Sequence, residues 1–590
     1  MADTISPFHD KNSVSGDGER LEPFTILAFY WLMKSQVGGI GVRILGVSAP
    51  YHDGSACLIE DGELVCAVEE ERLIRNKRAW GKFPVNAAKW CLESRGLTLE
   101  DVDKIAYPWE RDKIQDRTLA NYEVNSRRLF PPELFGYQPR NAQIEDVDHH
   151  LSHAASTFRF SGFPSAAILI IDGTGESVGT TLYHGQADGT IKLLRSWSSN
   201  LSLGLFYEGA TQYAGFSKLE AGKLMGLAPY GVGEVLPYVR LTEDGYEMDV
   251  PELPTQEHVT QYWVQRLIKD FGPANRRKYE YELATCYNQE KTEFDERITK
   301  VAASVQLTLD TVILHLARLA KQLTGEDNLC LAGGVALNCT SNGKVLVEQL
   351  FKDIFVPGPA NDTGASIGAA AELWYQATGL PLKPLKDLGL GPKFSTDYIG
   401  ALLKKLGIPH SSSNSIEVVA KLLGEGKIGA WFSGGIEIGP RALGHRSIIA
   451  NPALGANKDR LNIDVKKRET WRPYGPSMLE EYTETAFGQP LDLPYMLFTL
   501  PVTGDRQNLT AVTHVDGTTR VQTVANNPND PYANLLNQVK TTLGFPAVVN
   551  TSFNIAGEPV VCRPEEAIRS FYASPLEFMY LEGYLIWKES

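Results

Sequence analysis

RILGVSAPYHDGSACLIEDGELVCAV, residues 43–68, is the segment from which the architecture of this chain can be read. Its apolar start, residues 43–48, predicts a buried strand, and a polar turn containing His and Asp follows. Residues 56–60 predict a second strand, which an Asp-Gly hairpin signal joins to a third strand over residues 64–68. The segment therefore predicts three short strands in succession, the last two paired as a β-hairpin.

A similar strand and turn return later in the chain. Residues 166–171 (AAILII) predict a buried strand that runs into an Asp-Gly-Thr-Gly turn over residues 172–175. Residues 299–323 carry an amphipathic helical pattern, and residues 328–333 predict another buried strand. Helix and strand signals alternate to about residue 375, which is typical of an α/β domain. The two strand-turn units resemble the openings of the two halves of the actin-like ATPase fold.

Glycine and proline mark the end of this domain. Residues 376–397 are rich in both and lack periodicity, so they predict a linker between residues 42–375 and a second α/β domain over residues 398–590. Residues 1–41 lie outside this scheme. They begin with a polar stretch and contain an apolar run, residues 24–33, shorter than the ~20 residues that span a bilayer. We expect them to be a disordered extension before the folded protein.

Bulk composition restricts the class of protein. The chain has 590 residues, more than one hydrophobic core holds, so at least two domains are expected. Its net charge of −14 argues against a nucleic-acid partner. The seven cysteines are scattered and include no Cys-x-x-Cys pair, which indicates a cytoplasmic chain without a disulfide framework or a thiolate zinc site. We expect no membrane partner.

A candidate metal site begins in DVDHHLSHAAS, residues 146–156. His149 and His153 are four residues apart, so on a helix both imidazoles project from one face. Paired imidazoles suit a divalent first-row metal. Asp172 and Asp362 could complete a set of two imidazoles and two carboxylates, with coordination positions left open for substrate. Other roles remain open: the histidines could face solvent, Asp172 could support its turn, and Asp362 could cap a helix.

These segments and several others resemble a known family. HHLSHAAS, LIIDGTGES, LAGGVALNCTSNGK and GPANDTGASIGAA are similar to motifs of the carbamoyltransferases of nodulation-factor and antibiotic biosynthesis, which include tobramycin carbamoyltransferase-like enzymes. The same half is similar to the tRNA threonylcarbamoyltransferase catalytic subunit. GPRALGHRS, RETWRPYGPS and NTSFNIAGEP match the family's second, YrdC-like domain. The resemblance covers roughly residues 42–590 and implies an actin-like domain followed by a YrdC-like α/β domain.

The resemblance implies roles in the first domain. His149, His153, Asp172 and Asp362 match the ligands of a metal that is usually Fe(2+), although the ligand types also suit manganese or zinc. His52 matches a histidine near the reacting groups, where it could orient or deprotonate a hydroxyl. Asp53 is the second candidate for that role, and it could equally hold the turn. The positions implied to contact the nucleotide are Gly173, Gly175, Glu220, Gly222, Lys223, Gly333, Gly334 and Asn338.

In the second domain the resemblance implies a site for carbamoyl phosphate. Recognition of so small a dianion needs guanidinium groups, an ammonium group and hydroxyl or amide donors. The matching residues are Arg441, Arg446, Lys466, Arg472, Arg520, Asn550 and Ser552. Each cation could instead be a surface residue paired with a carboxylate. For Lys467 and Arg468 we expect this surface role.

The reaction that this resemblance implies is ATP-dependent O-carbamoylation. Carbamoyl phosphate would become carbamate, ATP with Mg(2+) would convert carbamate to carbamoyl-adenylate, and the metal site would transfer the carbamoyl group to a small hydroxylated acceptor. We expect residues 236–296 to shape the acceptor pocket. A sugar kinase, a tRNA-modifying transferase and a non-catalytic relative are the rival classes, and a homodimer is one assembly that the resemblance allows.

Overall fold

The first sheet follows from the hairpin segment. The structure is a computed structural model, and it describes residues 41–48, 51–114, 124–136, 143–274, 295–413 and 415–588. The predicted strands are present as an antiparallel meander, and two further strands add in parallel beside β1. The sheet has the order β3-β2-β1-β4-β5 and consists of β1 (Arg43–Ser48), β2 (Ser55–Glu60), β3 (Glu63–Glu69), β4 (Lys104–Tyr107) and β5 (Ile144–Asp146).

The second sheet repeats this topology. It again has an antiparallel meander of three strands, with two more strands in parallel beside the first strand of the meander. The strands of this region are β6 (Ala166–Ile171), β7 (Val178–Gly185), β8 (Ile191–Ser198), a separate ribbon of β9 (Val239–Thr242) and β10 (Gly245–Met248), β11 (Asn328–Ala332) and β12 (Asp353–Phe355). The order β12-β11-β6-β7-β8 makes the two sheets duplicates, which confirms the actin-like α/β fold.

The remaining strands form a nine-stranded mixed sheet. Its order is β13-β21-β20-β14-β15-β19-β16-β18-β17. The strands are β13 (His410–Ser411), β14 (Gly429–Phe432), β15 (Arg446–Ala450), β16 (Gly475–Leu479), β17 (Phe498–Pro501), β18 (Thr518–Val524), β19 (Ala547–Ser552), β20 (Phe578–Leu581) and β21 (Tyr584–Trp587). The predicted second region is therefore α/β in content.

Helices cover the sheets and carry several candidate site residues at their ends. In chain order they are α1 (Glu70–Ile74), α2 (Val85–Glu93), α3 (Ser126–Leu129), α4 (Pro132–Phe135), α5 (His149–Ser161), α6 (Leu203–Tyr213), α7 (Ala221–Leu227), α8 (Gln256–Phe271), α9 (Glu296–Thr324), α10 (Cys339–Val347), α11 (Asp362–Thr378), α12 (Thr396–Leu406), α13 (Ser415–Gly424), α14 (Ala456–Asp459), α15 (Thr483–Phe487), α16 (Pro531–Leu543) and α17 (Pro564–Tyr572). None of the helices described is both long and apolar enough to cross a bilayer.

The pairing of α5 with α11 positions the predicted metal ligands. A Cβ on Gly368 of α11 would lie 1.7 Å from the carbonyl oxygen of Ser152 on α5, so the two backbones meet where only glycine fits. Asp148 caps α5 by accepting a hydrogen bond from the Leu151 amide at 2.7 Å. The close approach brings the start of α5 beside the start of α11.

The nine-stranded sheet packs directly against the actin-like part. Asn342 of α10 donates to the carbonyl of Leu497 at 2.9 Å, and Tyr495 donates to the carbonyl of Leu385 at 2.8 Å. A Cβ on Gly343 would lie 1.9 Å from the carbonyl oxygen of Thr499 on β17. One hydrophobic core runs through both parts, so residues 42–590 pack as a single unit. Residues 379–395, which cover most of the predicted linker, carry neither helix nor strand.

Candidate active site

Two imidazoles and two carboxylates meet at the junction of the duplicated halves. His149 and His153 lie on one face of α5, Asp172 directly follows β6, and Asp362 is the first residue of α11. One ligand atom from each lies within 4.8 Å of the others. His149 Nε2 is 3.3 Å from Asp172 Oδ2 and 3.8 Å from Asp362 Oδ1. His153 Nε2 is 3.6 Å from Asp362 Oδ1. The arrangement can hold one divalent ion.

The tautomer of His149 fits a ligand role. Its Nδ1 lies 3.1 Å from the carbonyl oxygen of Pro108, which can only accept, so Nδ1 carries the hydrogen and Nε2 presents a lone pair to the cluster. Trp109 stacks on the same ring with centroids 3.9 Å apart and fixes its plane. Both ring nitrogens of His153 are buried without a hydrogen-bond partner among the described residues. Such an imidazole requires a further partner, and a cation supplies one.

Charges in the cluster balance each other. Burial lowers the pKa of His149, but the hydrogen bond that protonated Nε2 donates to Asp172 and the charge of Asp362 outweigh it and raise the pKa to about 9. A bound cation would take the place of the proton on Nε2 and use its lone pair. Burial raises the pKa of Asp172, yet His149 and His153 hold that pKa below its usual range. The neighbouring His150 is separate, because its Nδ1 pairs with Thr181 Oγ1 at 2.8 Å and burial lowers its pKa to about 3.

The turn after β1 carries His52 and Asp53. His52 Nδ1 lies 3.1 Å from Asp53 Oδ2, which also accepts from the side-chain amide of Asn361 at 3.1 Å. Burial lowers the pKa of His52, but Asp53 and Asp362 outweigh it and raise the pKa to about 9. Asp53 has a φ of 53°, so it both pairs with His52 and shapes the turn. Both residues line the same cavity as Asp172 and Asp362.

That cavity has a volume of about 980 Å³ and also collects most of the predicted nucleotide positions. Those that line it are Gly173, Glu220, Gly222, Lys223, Gly334 and Asn338. Gly175 and Gly333 do not line it. A Cβ on Gly175 would lie 2.7 Å from the His150 ring, and one on Gly333 would lie 2.3 Å from the carbonyl oxygen of Ile171. These two glycines serve the packing of the protein, which is at odds with a nucleotide contact.

Cations of the second region line this cavity and a smaller one of about 190 Å³. The predicted residues that line the smaller cavity are Arg441, Arg472, Arg520, Asn550 and Ser552. Lys466 lines the larger cavity, where burial, Arg468 and Lys77 hold its pKa well below the usual range. Burial and the neighbouring Arg520 lower the pKa of Arg441 to about 9. A cluster this positive favours a small anion.

Arg446 occupies a different place. It is 0% exposed, lines neither cavity, and donates to the backbone carbonyls of Ser433 at 3.0 Å and Pro392 at 3.2 Å. Its guanidinium carbon lies 3.5 Å from the centroid of the Phe432 ring. These contacts support the backbone and are at odds with the predicted ligand role. Arg468, which the sequence placed on the surface, instead lines both cavities.

The sequence also missed residues that bear on the site. Trp109 stacks on a predicted ligand, and Glu208, whose pKa burial raises to about 7, lines the larger cavity. His514 lines the smaller cavity. No motif surrounds these three residues, so position in the fold is the only signal that identifies them.

The topology and the two polar clusters define a two-part α/β enzyme with a cluster of possible metal ligands and a cationic pocket joined by one cavity. The family model for the carbamoyltransferase N-terminus matches residues 43–129 and 138–371, and the model for the carbamoyltransferase C-terminus matches residues 420–588. The chain therefore belongs to the carbamoyltransferase family, and it is a carbamoyltransferase.

Individual relatives agree over most of the chain. Nodulation protein NolNO of Sinorhizobium fredii is 36% identical, covering 91% of this chain and 79% of NolNO. An uncharacterised protein of Synechocystis sp. is 34% identical, covering 92% of this chain and 97% of that protein. A solved structure of full-length HypF in the phosphate- and nucleotide-bound form aligns over 58% of this chain and 56% of that chain, with 14% identity and a TM-score of 0.34. That score is too low to support an argument.

Proposed function

We propose that this enzyme uses ATP to carbamoylate a hydroxyl group of a small molecule. Carbamoyl phosphate and water give carbamate and phosphate, carbamate and ATP give carbamoyl-adenylate and pyrophosphate, and the acceptor hydroxyl displaces AMP. The observation that carries the proposal is the shared cavity, whose walls include Arg441 and Arg472 of one part of the chain and Asp172 and Asp362 of the other. An activated carbamoyl group formed beside these arginines can reach the carboxylates through this cavity without leaving the protein, which limits its hydrolysis by water.

The cationic pocket is the proposed site for carbamoyl phosphate. Nε of Arg441 and Nε of Arg520 are buried without a partner among the residues described. Buried guanidinium donors without an acceptor are costly, and a phosphate dianion supplies several acceptors at once. Lys466 is held by Ser552 and Asn554 beside this pocket. Residues 398–590 would thus prepare the donor, and residues 42–375 would transfer it.

We assign ATP to the larger cavity. Gly173 and Gly222 have nothing within 4 Å of an added Cβ, so the backbone there is open to a ligand. Lys223 pairs with Glu220 at 2.7 Å and with Glu469 at 3.3 Å, and it can contact phosphate oxygens between the two parts of the chain. ATP would carry Mg(2+), as phosphate ligands usually do.

His149, His153, Asp172 and Asp362 would hold a divalent metal, with Fe(2+) as the proposed ion. Two imidazoles and two carboxylates fit first-row metals in general, and the buried nitrogens of His153, which have no hydrogen-bond partner in the described part of the chain, fit a ligand role. Bound there, the ion would act as a Lewis acid on the carbamoyl carbonyl. The protein's own contribution is to hold the ring of His149 through Pro108 and Trp109, and to exclude water from a site whose imidazoles are 0% exposed.

The acceptor would enter beside His52. Its imidazole is oriented by Asp53, and it can hold the acceptor hydroxyl by a hydrogen bond. Gln256, Glu257 and Thr260 of α8 line the same cavity and come from the region expected to shape this pocket. Part of that region, residues 275–294, lies outside the described residues.

Mass spectrometry of the products tests the proposal. The enzyme is incubated with ATP, carbamoyl phosphate and a panel of hydroxylated acceptors that includes sugars and glycosylated metabolites. One acceptor should gain one carbamoyl group, and the gain should require ATP. Transfer of a phosphoryl group instead, or carbamoylation that proceeds equally without ATP, would contradict it.

A further inference from the structure

His514 lies on the segment before β18 and lines the smaller cavity together with Arg441, Arg520 and Asn550. No step of the proposed reaction uses His514. Its ring reaches across to the actin-like part of the chain, where Nε2 lies 2.9 Å from the carbonyl oxygen of Gly226 on α7. Tyr230 contacts the same ring edge-on, with centroids 5.5 Å apart. The side chain is therefore held in one orientation from outside its own region.

The contact with Gly226 determines the tautomer of His514. A carbonyl oxygen can only accept a hydrogen bond, so Nε2 carries the hydrogen. Burial lowers the pKa of His514, and the charge of Lys458 adds to this effect, so together they outweigh the hydrogen bond to Gly226 and the charge of Asp516, which raise that pKa. The ring is then neutral, and Nδ1 bears a lone pair. Within the described part of the chain this Nδ1 is buried and has no hydrogen-bond partner.

A second bare acceptor lies in the same cavity. The side-chain nitrogen of Asn550 lies 2.8 Å from the carbonyl oxygen of Ala442, which fixes the orientation of the amide group. Its Oδ1 is buried and lacks a partner among the residues described, and Asn550 is 1% exposed. The cavity thus combines unpaired guanidinium donors with unpaired acceptors. Phosphate alone would satisfy the donors and leave both acceptors unpaired.

We propose that Nδ1 of His514 accepts a hydrogen bond from the amide nitrogen of carbamoyl phosphate and thereby distinguishes it from acetyl phosphate. This inference rests on the proposed function of the pocket. The two compounds share the phosphate and the carbonyl, and they differ in an NH2 group that donates hydrogen bonds where the other has a methyl group. A methyl group would leave a buried acceptor desolvated and unpaired, which makes a site built for the amide reject the analogue. Selectivity for the donor then comes from His514, and affinity comes from the arginines.

Two substitutions test the roles of the two ring nitrogens of His514 separately. Glutamine places its terminal amide near the position of Nε2, so His514→Gln keeps a donor for Gly226 and loses the acceptor at Nδ1. Asparagine places its terminal amide near Nδ1, so His514→Asn keeps an acceptor there and loses the contact with Gly226. Calorimetry on the full-length protein compares a stable pair of probes: phosphonoacetamide, which has the amide, and 2-oxopropylphosphonate, which has the methyl ketone.

Wild-type protein should bind phosphonoacetamide at least about tenfold more tightly, which corresponds to about 1.4 kcal/mol. His514→Gln should bring the ratio of the two dissociation constants close to one, and His514→Asn should retain most of the preference. A purely structural role would weaken both probes together and leave the ratio unchanged, and that result in His514→Gln would overturn the inference. If His514→Gln does not fold, a ratio near one in folded His514→Asn overturns it. Equal affinities of the wild-type protein for the two probes would also overturn the inference. If the wild-type protein binds neither probe nor inorganic phosphate, the proposed function itself is overturned.

Discussion

Arg441 and Arg446 are five residues apart, and their surroundings assign them opposite roles. Arg441 lines the cationic pocket, whereas Arg446 lines neither cavity and donates through Nη1 and Nη2 to four backbone carbonyls. The Nε of each arginine is buried without a partner among the described residues, so the Nη contacts distinguish the two. Both lie in GPRALGHRS, and a motif does not indicate which guanidinium faces a ligand. The sequence predicted the cluster of cations but could not separate a ligand contact from a support of the backbone.

The two arginines make a matched test by lysine substitution. Arg441→Lys keeps the charge and loses the planar fork, which matters at a phosphate site. Hydrogen bonds to charged groups contribute roughly 1.5–3 kcal/mol, so the Michaelis constant for carbamoyl phosphate should rise about tenfold to a hundredfold with little change in melting temperature. Arg472→Lys should behave in the same way. Steady-state kinetics and calorimetric unfolding measure the two quantities.

Arg446→Lys is the control for that pair. An ammonium group cannot reach the four carbonyl groups that Arg446 contacts, so buried acceptors lose their donors and the melting temperature should fall. The Michaelis constant of the folded fraction should stay near the wild-type value. A loss of stability alone in Arg441→Lys would show that Arg441 is also structural.

The imidazoles of the cluster give the second test at this scale. His149→Ala and His153→Ala should lower bound metal, measured by elemental analysis, and abolish carbamoyl transfer. Pyrophosphate release from ATP and carbamoyl phosphate should continue, because that step is assigned to the cationic pocket and not to the cluster of metal ligands. His150→Asn is the neighbouring control and should keep the metal, since the asparagine amide can replace the contact of Nδ1 with Thr181. Metal content unchanged in both alanine variants would contradict the ligand assignment.

At the scale of elements, the contact of α5 with α11 holds the cluster together. Gly368 has no space for a side chain beside Ser152, so Gly368→Ala would force the two helices apart. Overpacking of this kind costs roughly 1–3 kcal/mol. We expect a lower melting temperature together with weaker metal binding, because three of the four ligands lie on these helices. Gln376→Ala, an exposed change on the same helix, should alter neither quantity.

Local pattern and long-range contact explain what the sequence could predict at this scale. The meander of β1 to β3 was predictable because its strands are short, adjacent and joined by an Asp-Gly turn. The convergence of His149, His153, Asp172 and Asp362 followed from spacing and family motifs. Gly175 packs against the ring of His150, and His514 donates a hydrogen bond to the carbonyl of Gly226, 288 residues away. Neither contact leaves a signal in the local sequence.

For the whole molecule, the two reaction steps should separate when metal is removed. Residues of the cationic pocket and of the cluster line one cavity in a single packed unit. Treatment of the intact enzyme with a chelator should stop transfer to the acceptor. With Mg(2+) resupplied, pyrophosphate release should return, and only a first-row metal should restore transfer. Recovery of transfer with Mg(2+) alone would contradict the separate roles of the cationic pocket and the cluster of metal ligands.

The nucleotide products show whether carbamate is adenylated before the carbamoyl group is transferred. Adenylation of carbamate and displacement of AMP by a hydroxyl require one phosphate, one pyrophosphate and one AMP for each carbamoylated acceptor. Quantitative chromatography of a reaction with isotope-labelled carbamoyl phosphate measures all four quantities together. AMP, pyrophosphate and labelled product should form in equal amounts. Formation of ADP in place of AMP, or of labelled product without pyrophosphate, would contradict it.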